Sequence, residues 1–111
     1  QFTPHLSPMF RGILTTMYLD LKRNDSLKKI YSILKKYYKN HKFIKILKPN
    51  TFLGTNEVIN TNNCYISVCE SKYKNKIIIL SAIDNLIKGG SGQAVQNMNI
   101  LFGYKSDEGL N

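Results

Sequence analysis

Acidic residues are scarce in this sequence: seven Asp and Glu stand against sixteen Lys and Arg, a formal net charge of +9. Cysteine is scarcer still. Cys64 and Cys69 are five residues apart among strand formers, and odd spacing in a strand puts two side chains on opposite faces, which argues against a disulfide between them and fits a reducing, cytosolic setting. Long apolar runs are missing as well. The longest, Lys76 to Ile83, falls far short of the roughly 20 residues that cross a bilayer, and the N-terminus has no charged-then-apolar leader, so a soluble protein is expected. No metal-ligand cluster, Walker loop or dinucleotide fingerprint is present, and no internal repeat or low-complexity linker interrupts the chain. At 111 residues there is room for one domain with one modest core, but not for a nucleotide-binding domain beside a substrate domain. The sequence opens Gln1-Phe2-Thr3-Pro4 without Met, with strand-like residues at once. A processing or proteolytic boundary inside a longer protein is the expectation.

What is abundant is lysine. An excess of positive charge invites a nucleic-acid reading, because clustered Lys and Arg neutralise phosphates and release counterions. Most of the lysines, however, fall on one amphipathic segment and the stretch after it, where they are the expected solvent face of a helix. A basic module using Lys28, Lys29, Lys35, Lys36, Lys39 and Lys42 with Tyr37 and Tyr38 is the alternative, as is a self-associating α+β domain.

Residues 2–9 hold two prolines in an extended-type segment and predict an edge strand or an irregular strand end. After Arg11-Gly12, Ile13 to Leu21 is rich in strand formers and predicts a principal strand. Asn24-Asp25-Ser26 offers helix-capping oxygens, and Leu27, Ile30, Tyr31, Leu34 and Tyr38 then recur at helical steps. Phe43 to Leu47 predicts a short strand closed by Pro49-Asn50, followed by a polar loop to about Ile59. Cys64–Cys69 and Lys76–Ile83 predict an antiparallel hairpin around Ser71–Asn75, the second strand apolar enough to be central. A glycine-rich connection, Asp84 to Gly92, leads to a helix marked by Ala94, Val95, Met98, Leu101 and Phe102, with Gly103 as its stop. These elements predict an α+β domain: a mixed, largely antiparallel sheet with helices packed on one face.

Two stretches go further than fold class. The run Ile83-Asp84-Asn85-Leu86-Ile87-Lys88-Gly89-Gly90-Ser91-Gly92-Gln93-Ala94-Val95-Gln96-Asn97-Met98-Asn99, continuing Leu101-Phe102-Gly103, resembles the C-terminal signature of the N-acetyl-γ-glutamyl-phosphate reductases. Phe2-Thr3-Pro4-His5-Leu6-Ser7-Pro8-Met9-Phe10-Arg11-Gly12-Ile13 resembles a second segment of the same family, in the right order, with Pro49-Asn50-Thr51 between them also family-like. The aspartate-semialdehyde dehydrogenases share the sense of the Asp-Asn-Leu-x-Lys-Gly turn but not the Ser-Gly-Gln-Ala-Val-Gln-Asn-Met-Asn that follows here. The resemblance implies an incomplete glyceraldehyde-3-phosphate-dehydrogenase-like C-terminal domain spanning 1–111. Within it, 84–111 would pack on a nucleotide-binding domain outside this chain, leaving Val95, Met98 and Phe102 partly uncovered here. It implies NADPH-dependent reduction of N-acetyl-γ-glutamyl phosphate to N-acetylglutamate semialdehyde in cytoplasmic arginine biosynthesis, by cysteine attack, a thioester, hydride transfer and a proton-handling histidine. It also implies a homo-oligomer, with the sheet face opposite the helices as the subunit contact.

Neither Cys64 nor Cys69 matches the context of the family nucleophile, which is expected, with the catalytic histidine, upstream of Gln1. No residue of this chain is therefore assigned a catalytic role. His5 matches a family position that is not the catalytic one and is expected to be structural or substrate-adjacent; His41 should be exposed. Arg11 could meet an anionic substrate through a bidentate contact, or form an ion pair at the margin of the sheet. Asn85, Lys88, Gly89, Gly90, Ser91 and Gln93 are the candidate cofactor-binding set, since successive glycines admit close backbone approach and a helix starting near Gly92 aims amide donors at an anion or a carboxamide. The rival reading is a tight strand-to-helix turn with Lys88 in water.

Overall fold

A computed structural model describes residues 1–111. Four strands form one sheet in the order β1-β4-β3-β2, where β1 is Ile13–Asp20, β2 Ile44–Ile46, β3 Cys64–Glu70 and β4 Lys76–Ile83. β1 and β3 run antiparallel to β4, and β2 runs parallel to β3. The apolar composition of β4 accounts for its place between two neighbours: Ile77, Ile79 and Ala82 are all buried. This is the mixed, largely antiparallel α+β sheet that the sequence predicts.

Each face of the sheet has a different cover. On one, helix α1 (Leu27–Tyr37) lays Leu27, Ile30 and Leu34 against Val68, Ile77 and Ile79. Its start is fixed by Ser26, whose Oγ accepts the Lys29 amide at 3.2 Å, a cap contributing about 1 kcal/mol. Asp25 adds a 2.7 Å ion pair with Lys29 one turn on. On the other face the cover is the connection from β2 to β3. Parallel neighbours cannot be joined by a tight turn, and the long segment between them drops Leu53 and Val58 onto Ala82, with Leu47, Tyr65 and Leu80 around them.

Three sequence expectations are refined. Residues 2–9 pair with no strand and are exposed, because Pro4 and Pro8 lack the amide donors a ladder needs. The strand expected from Phe43 to Leu47 narrows to three residues, and Phe43 turns into the core at 4 % exposure. The glycine-rich connection folds as a tight turn, Ile87–Ser91, kinked at Gly90 (φ −149°, ψ −111°) and running directly into helix α2 (Gly92–Leu101). No helix is long and apolar enough to cross a membrane.

Candidate functional site

Asp84 is the first residue beyond β4 and is completely buried. A buried carboxylate is costly unless its oxygens are matched, and here both are. Oδ1 accepts from the Leu86 amide at 2.8 Å, the Ile87 amide at 2.9 Å and Arg11 Nε at 3.0 Å. Oδ2 accepts from the Asn60 amide at 2.8 Å and lies 2.9 Å from the same guanidinium nitrogen. Burial alone would raise the Asp84 carboxyl, but the amides of Asn60, Ile87 and Leu86 with the Arg11 guanidinium outweigh it and hold the group below the ordinary carboxylate range. One side chain thereby ties together the segment before β1, the loop that covers the sheet and the glycine-rich turn.

Neighbouring contacts reinforce the junction. Asn85 Oδ1 accepts the Gly12 amide at 2.7 Å, and Arg11 Nη1 donates to Asn60 Oδ1 at 3.2 Å. Gly12 sits at φ 110°, and a Cβ there would lie 2.6 Å from Thr55 Cβ, so both backbone and packing demand glycine. Of the two roles open to Arg11, the geometry displays the ion pair. The sequence reading passed over Asp84, Asn60 and Asn62. The available signal was an Asp closing an apolar strand two residues ahead of an apolar pair, which is the pattern of a side chain capping a turn.

The turn itself consumes most of the amides that a helix start would aim at a ligand. Gly89 N–H donates to the Asp84 carbonyl at 2.9 Å, Ser91 N–H to the Leu86 carbonyl at 2.9 Å, and Gly92 N–H to the Ile87 carbonyl. Ser91 Oγ also donates to the Leu86 carbonyl, at 2.9 Å. Gly89, Gly90 and Ser91 remain exposed along their outer edge. Gly92 is enclosed: a Cβ would meet Ile87 Cγ2 at 2.6 Å and would press on Asn62 Oδ1. Lys88, placed in water by the rival reading of the turn, is half-buried. Its Nζ donates to Gln96 Oε1 at 2.7 Å and lies 5.5 Å from the centre of the Phe43 ring. Burial lowers its pKa, and the Cys64 thiol nearby partly offsets that. Gln96 Oε1 also accepts from Asn62 Nδ2 at 3.1 Å, while buried Asn62 Oδ1 has no donor.

Along α2, Gln93 Nε2 donates to Asn97 Oδ1 at 2.9 Å, which leaves Gln93 Oε1 and Asn97 Nδ2 without partners in the chain. A cavity of about 240 Å³ opens beside the turn, lined by Asn60, Ile87, Ser91, Gly92 and Val95 among others. His5 lies in the exposed N-terminal arm with Nδ1 3.1 Å from the Thr3 carbonyl, and no hydrogen bond joins it to Arg11 or to the turn. His41 is exposed, as expected, and stacks on Tyr37. Cys64 Sγ is 3.4 Å from Ser81 Oγ, and Cys69 Sγ is 3.6 Å from Ser67 Oγ; both thiols are free, and neither is hydrogen-bonded to a histidine.

The residues that build the sheet and its crossover match a known family model. The chain belongs to the semialdehyde dehydrogenase, dimerisation domain family, whose model matches residues 1–85 and so ends just past Asp84. Among individual proteins, it is 50% identical over 109 residues to the N-acetyl-gamma-glutamyl-phosphate reductase of Thermoanaerobacter pseudethanolicus, covering 98% of this chain and 32% of that one. It is 49% identical over 110 residues to the reductase of the same name from Campylobacter jejuni subsp. doylei, and 47% over 110 residues to that of Clostridium botulinum Eklund 17B, covering 99% of this chain and 32% of each relative. The chain thus spans about a third of the length of the curated relatives it matches. These likenesses favour the reductase reading over the basic nucleic-acid-binding alternative.

Proposed function

We propose that this chain is the C-terminal part of an NADPH-dependent N-acetyl-γ-glutamyl-phosphate reductase of arginine biosynthesis, acting in the cytoplasm as a homo-oligomer. The observation that carries the reading is half identity sustained over 109 residues to a reductase of that name, running through the turn and α2 as well as the sheet. In this reading the surface of residues 84–111 meets a nucleotide-binding domain. Its apolar residues support that: Met98, Ile100, Leu101 and Phe102 are all exposed. The sheet face carrying Leu14 and Tyr18 of β1 is the proposed subunit contact.

The turn fits a nicotinamide. Its outer edge of Gly89, Gly90 and Ser91 is open, its one carboxylate is buried and neutralised, and the 240 Å³ cavity is too small for a whole dinucleotide but suits one ring with its carboxamide. Gln93 Oε1 and Asn97 Nδ2, on α2 outside that cavity, are a free acceptor and donor of the kind a carboxamide requires. The cofactor, when bound, supplies hydride. Asn85 and Lys88 act from beneath, Asn85 by fixing the turn to Gly12 and Lys88 by clamping it to α2 through Gln96. Arg11 and His5 are assigned to the substrate side, Arg11 through the guanidinium edge left free by Asp84. This chain contributes walls and a floor to the reaction, and the nucleophile and proton carrier come from elsewhere in the protein.

The test follows NADPH oxidation with N-acetyl-γ-glutamyl phosphate. The isolated chain should be inactive, and the protein encoded by the complete reading frame active. In that protein Lys88→Ala and Arg11→Ala should each depress kcat/KM at least about tenfold, equivalent to about 1.4 kcal/mol of transition-state stabilisation. An inactive complete protein would overturn the reductase reading, and wild-type kinetics in both variants would remove these residues from the site.

A further inference from the structure

Beyond the last turn of α1, a cavity of about 490 Å³ opens between the helix end and β2 at the margin of the sheet. Its volume falls within the range of small-molecule sites. On the α1 side its wall is apolar and aromatic, with half-buried Tyr38, Ile44 and Ile46, and Tyr65 lines the cavity from the other face of the sheet. Three exposed lysines, Lys35, Lys39 and Lys45, stand around it. None of the three takes part in any of the chain's four ion pairs, and no acidic residue lines the cavity. At the end of α1 the carbonyls of Leu34 and Lys36 accept from the amides of Tyr38 and Lys39, and that of Tyr38 from His41; the negative end of the helix dipole remains, and the three lysines outweigh it. β2 is the edge strand and only three residues long, so no further strand of this sheet fills the space.

Unpaired ammonium groups around a low-dielectric wall concentrate anions. The apolar wall, in contrast, offers nothing to a bare hydrated ion and rewards a ligand that brings carbon surface with its charge. We propose that this cavity is a binding site for an organic anion with a flat apolar body, an aromatic carboxylate or phosphate monoester, its ring against Tyr38, Ile44 and Ile46 and its charged head by Lys35 and Lys39, with Lys45 at the strand edge. The site shares no lining residue with the glycine-rich turn and holds whether or not the reductase reading does.

The experiment is a titration of the isotope-labelled 111-residue chain followed through its amide NMR signals. The probes are 1-naphthyl phosphate and 1-naphthoate, with inorganic phosphate and 1-naphthol as the two halves of the ligand taken separately; comparing the first two tells a phosphate from a carboxylate preference. Saturable shifts confined to residues 35–47 and Tyr65 are expected with at least one aromatic anion and with neither half alone. Lys39→Glu and Lys45→Glu should each weaken binding about tenfold, whereas Lys74→Glu, the same charge change in the exposed hairpin turn, should leave it unaltered. The proposal is overturned by inorganic phosphate moving the same signals equally, by 1-naphthol binding as tightly as the anions, by indifference to the cavity charge reversals, or by failure of both aromatic anions to saturate.

Discussion

The Asp84 junction and strand β1 meet at Gly12, yet they solve opposite problems. At the junction a fully buried carboxylate is enclosed by three amides and a guanidinium, and glycines at 12 and 92 leave no room for a methyl group. Along β1 every residue is exposed on both sides, although Ile13, Leu14, Met17 and Leu19 are apolar. The first region is complete within the chain. The second has the composition of a buried strand without the cover, since α1 and the crossover loop reach only β4, β3 and β2. Polar groups buried at the junction are costly to leave unmatched, so this sequence must satisfy them itself, whereas apolar surface at β1 can wait for another surface to bury it.

The largest effect should come from breaking the junction at its centre. Asp84→Ala leaves the Arg11 guanidinium and three amides without their acceptor, at a cost of about 3–5 kcal/mol measured by denaturant unfolding. The pH dependence sharpens the point. The folded carboxyl lies below its unfolded value, so the stability it contributes is fully present above about pH 4 and is lost as pH falls through the folded value. Unfolding curves from pH 5 to 2.5 should therefore show a steeper acid loss in the wild type than in Asp84→Asn. Asp25 and Asp107, also lowered by their lysine partners, are common to both proteins and cancel in the difference. Parallel acid profiles would deny Asp84 its place as the organiser of the turn.

Gly92→Ala is next. The added methyl would meet Ile87 Cγ2 at 2.6 Å and the unpartnered Asn62 oxygen, so α2 must shift away from the loop. Overpacking of this kind costs about 1–3 kcal/mol. The loss should appear as a lowered Tm together with weakened hydrogen-exchange protection confined to residues 87–99. A uniform loss across the sheet would mean that the turn and the sheet unfold as one unit.

Much of this architecture was legible in the residues. The period of Leu27, Ile30 and Leu34 gave α1, and the apolar content of β4 gave its central place. The junction was not legible, because its partners are distant in sequence: Arg11 and Asp84 meet only because β1 pairs with β4, and Asn60 enters from a loop whose only local signal is polarity. The surroundings of Lys88 were hidden for the same reason. A lysine beside two glycines carries no local sign of burial, and only the fold reveals Phe43 and Gln96 around it. The parallel pairing of β2 was equally hidden, since a crossover without a helix leaves no periodic pattern.

The smallest effect on stability, and the clearest contrast, belongs to β1. Tyr18 is 73% exposed and stands opposite Ile78 on the crossover-loop face, at the end of the sheet the loop does not reach. Tyr18→Lys removes no buried contact, so the monomer's unfolding free energy should change by no more than about 0.5 kcal/mol. Burying an ammonium in a subunit contact is another matter: with a partner strand laid over this face, the charge is desolvated in both copies of a two-fold interface. Sedimentation of wild type and variant at matched concentrations should therefore show self-association in the wild type that the variant lacks, at nearly equal Tm when both are dilute. If association persists unchanged in Tyr18→Lys, this face is not the contact, and the same substitution at Met17, on the opposite side of the strand, becomes the deciding one. If instead the dilute variant unfolds readily, Tyr18 is already packed within a single chain, and the contrast between a finished junction and an unfinished strand fails.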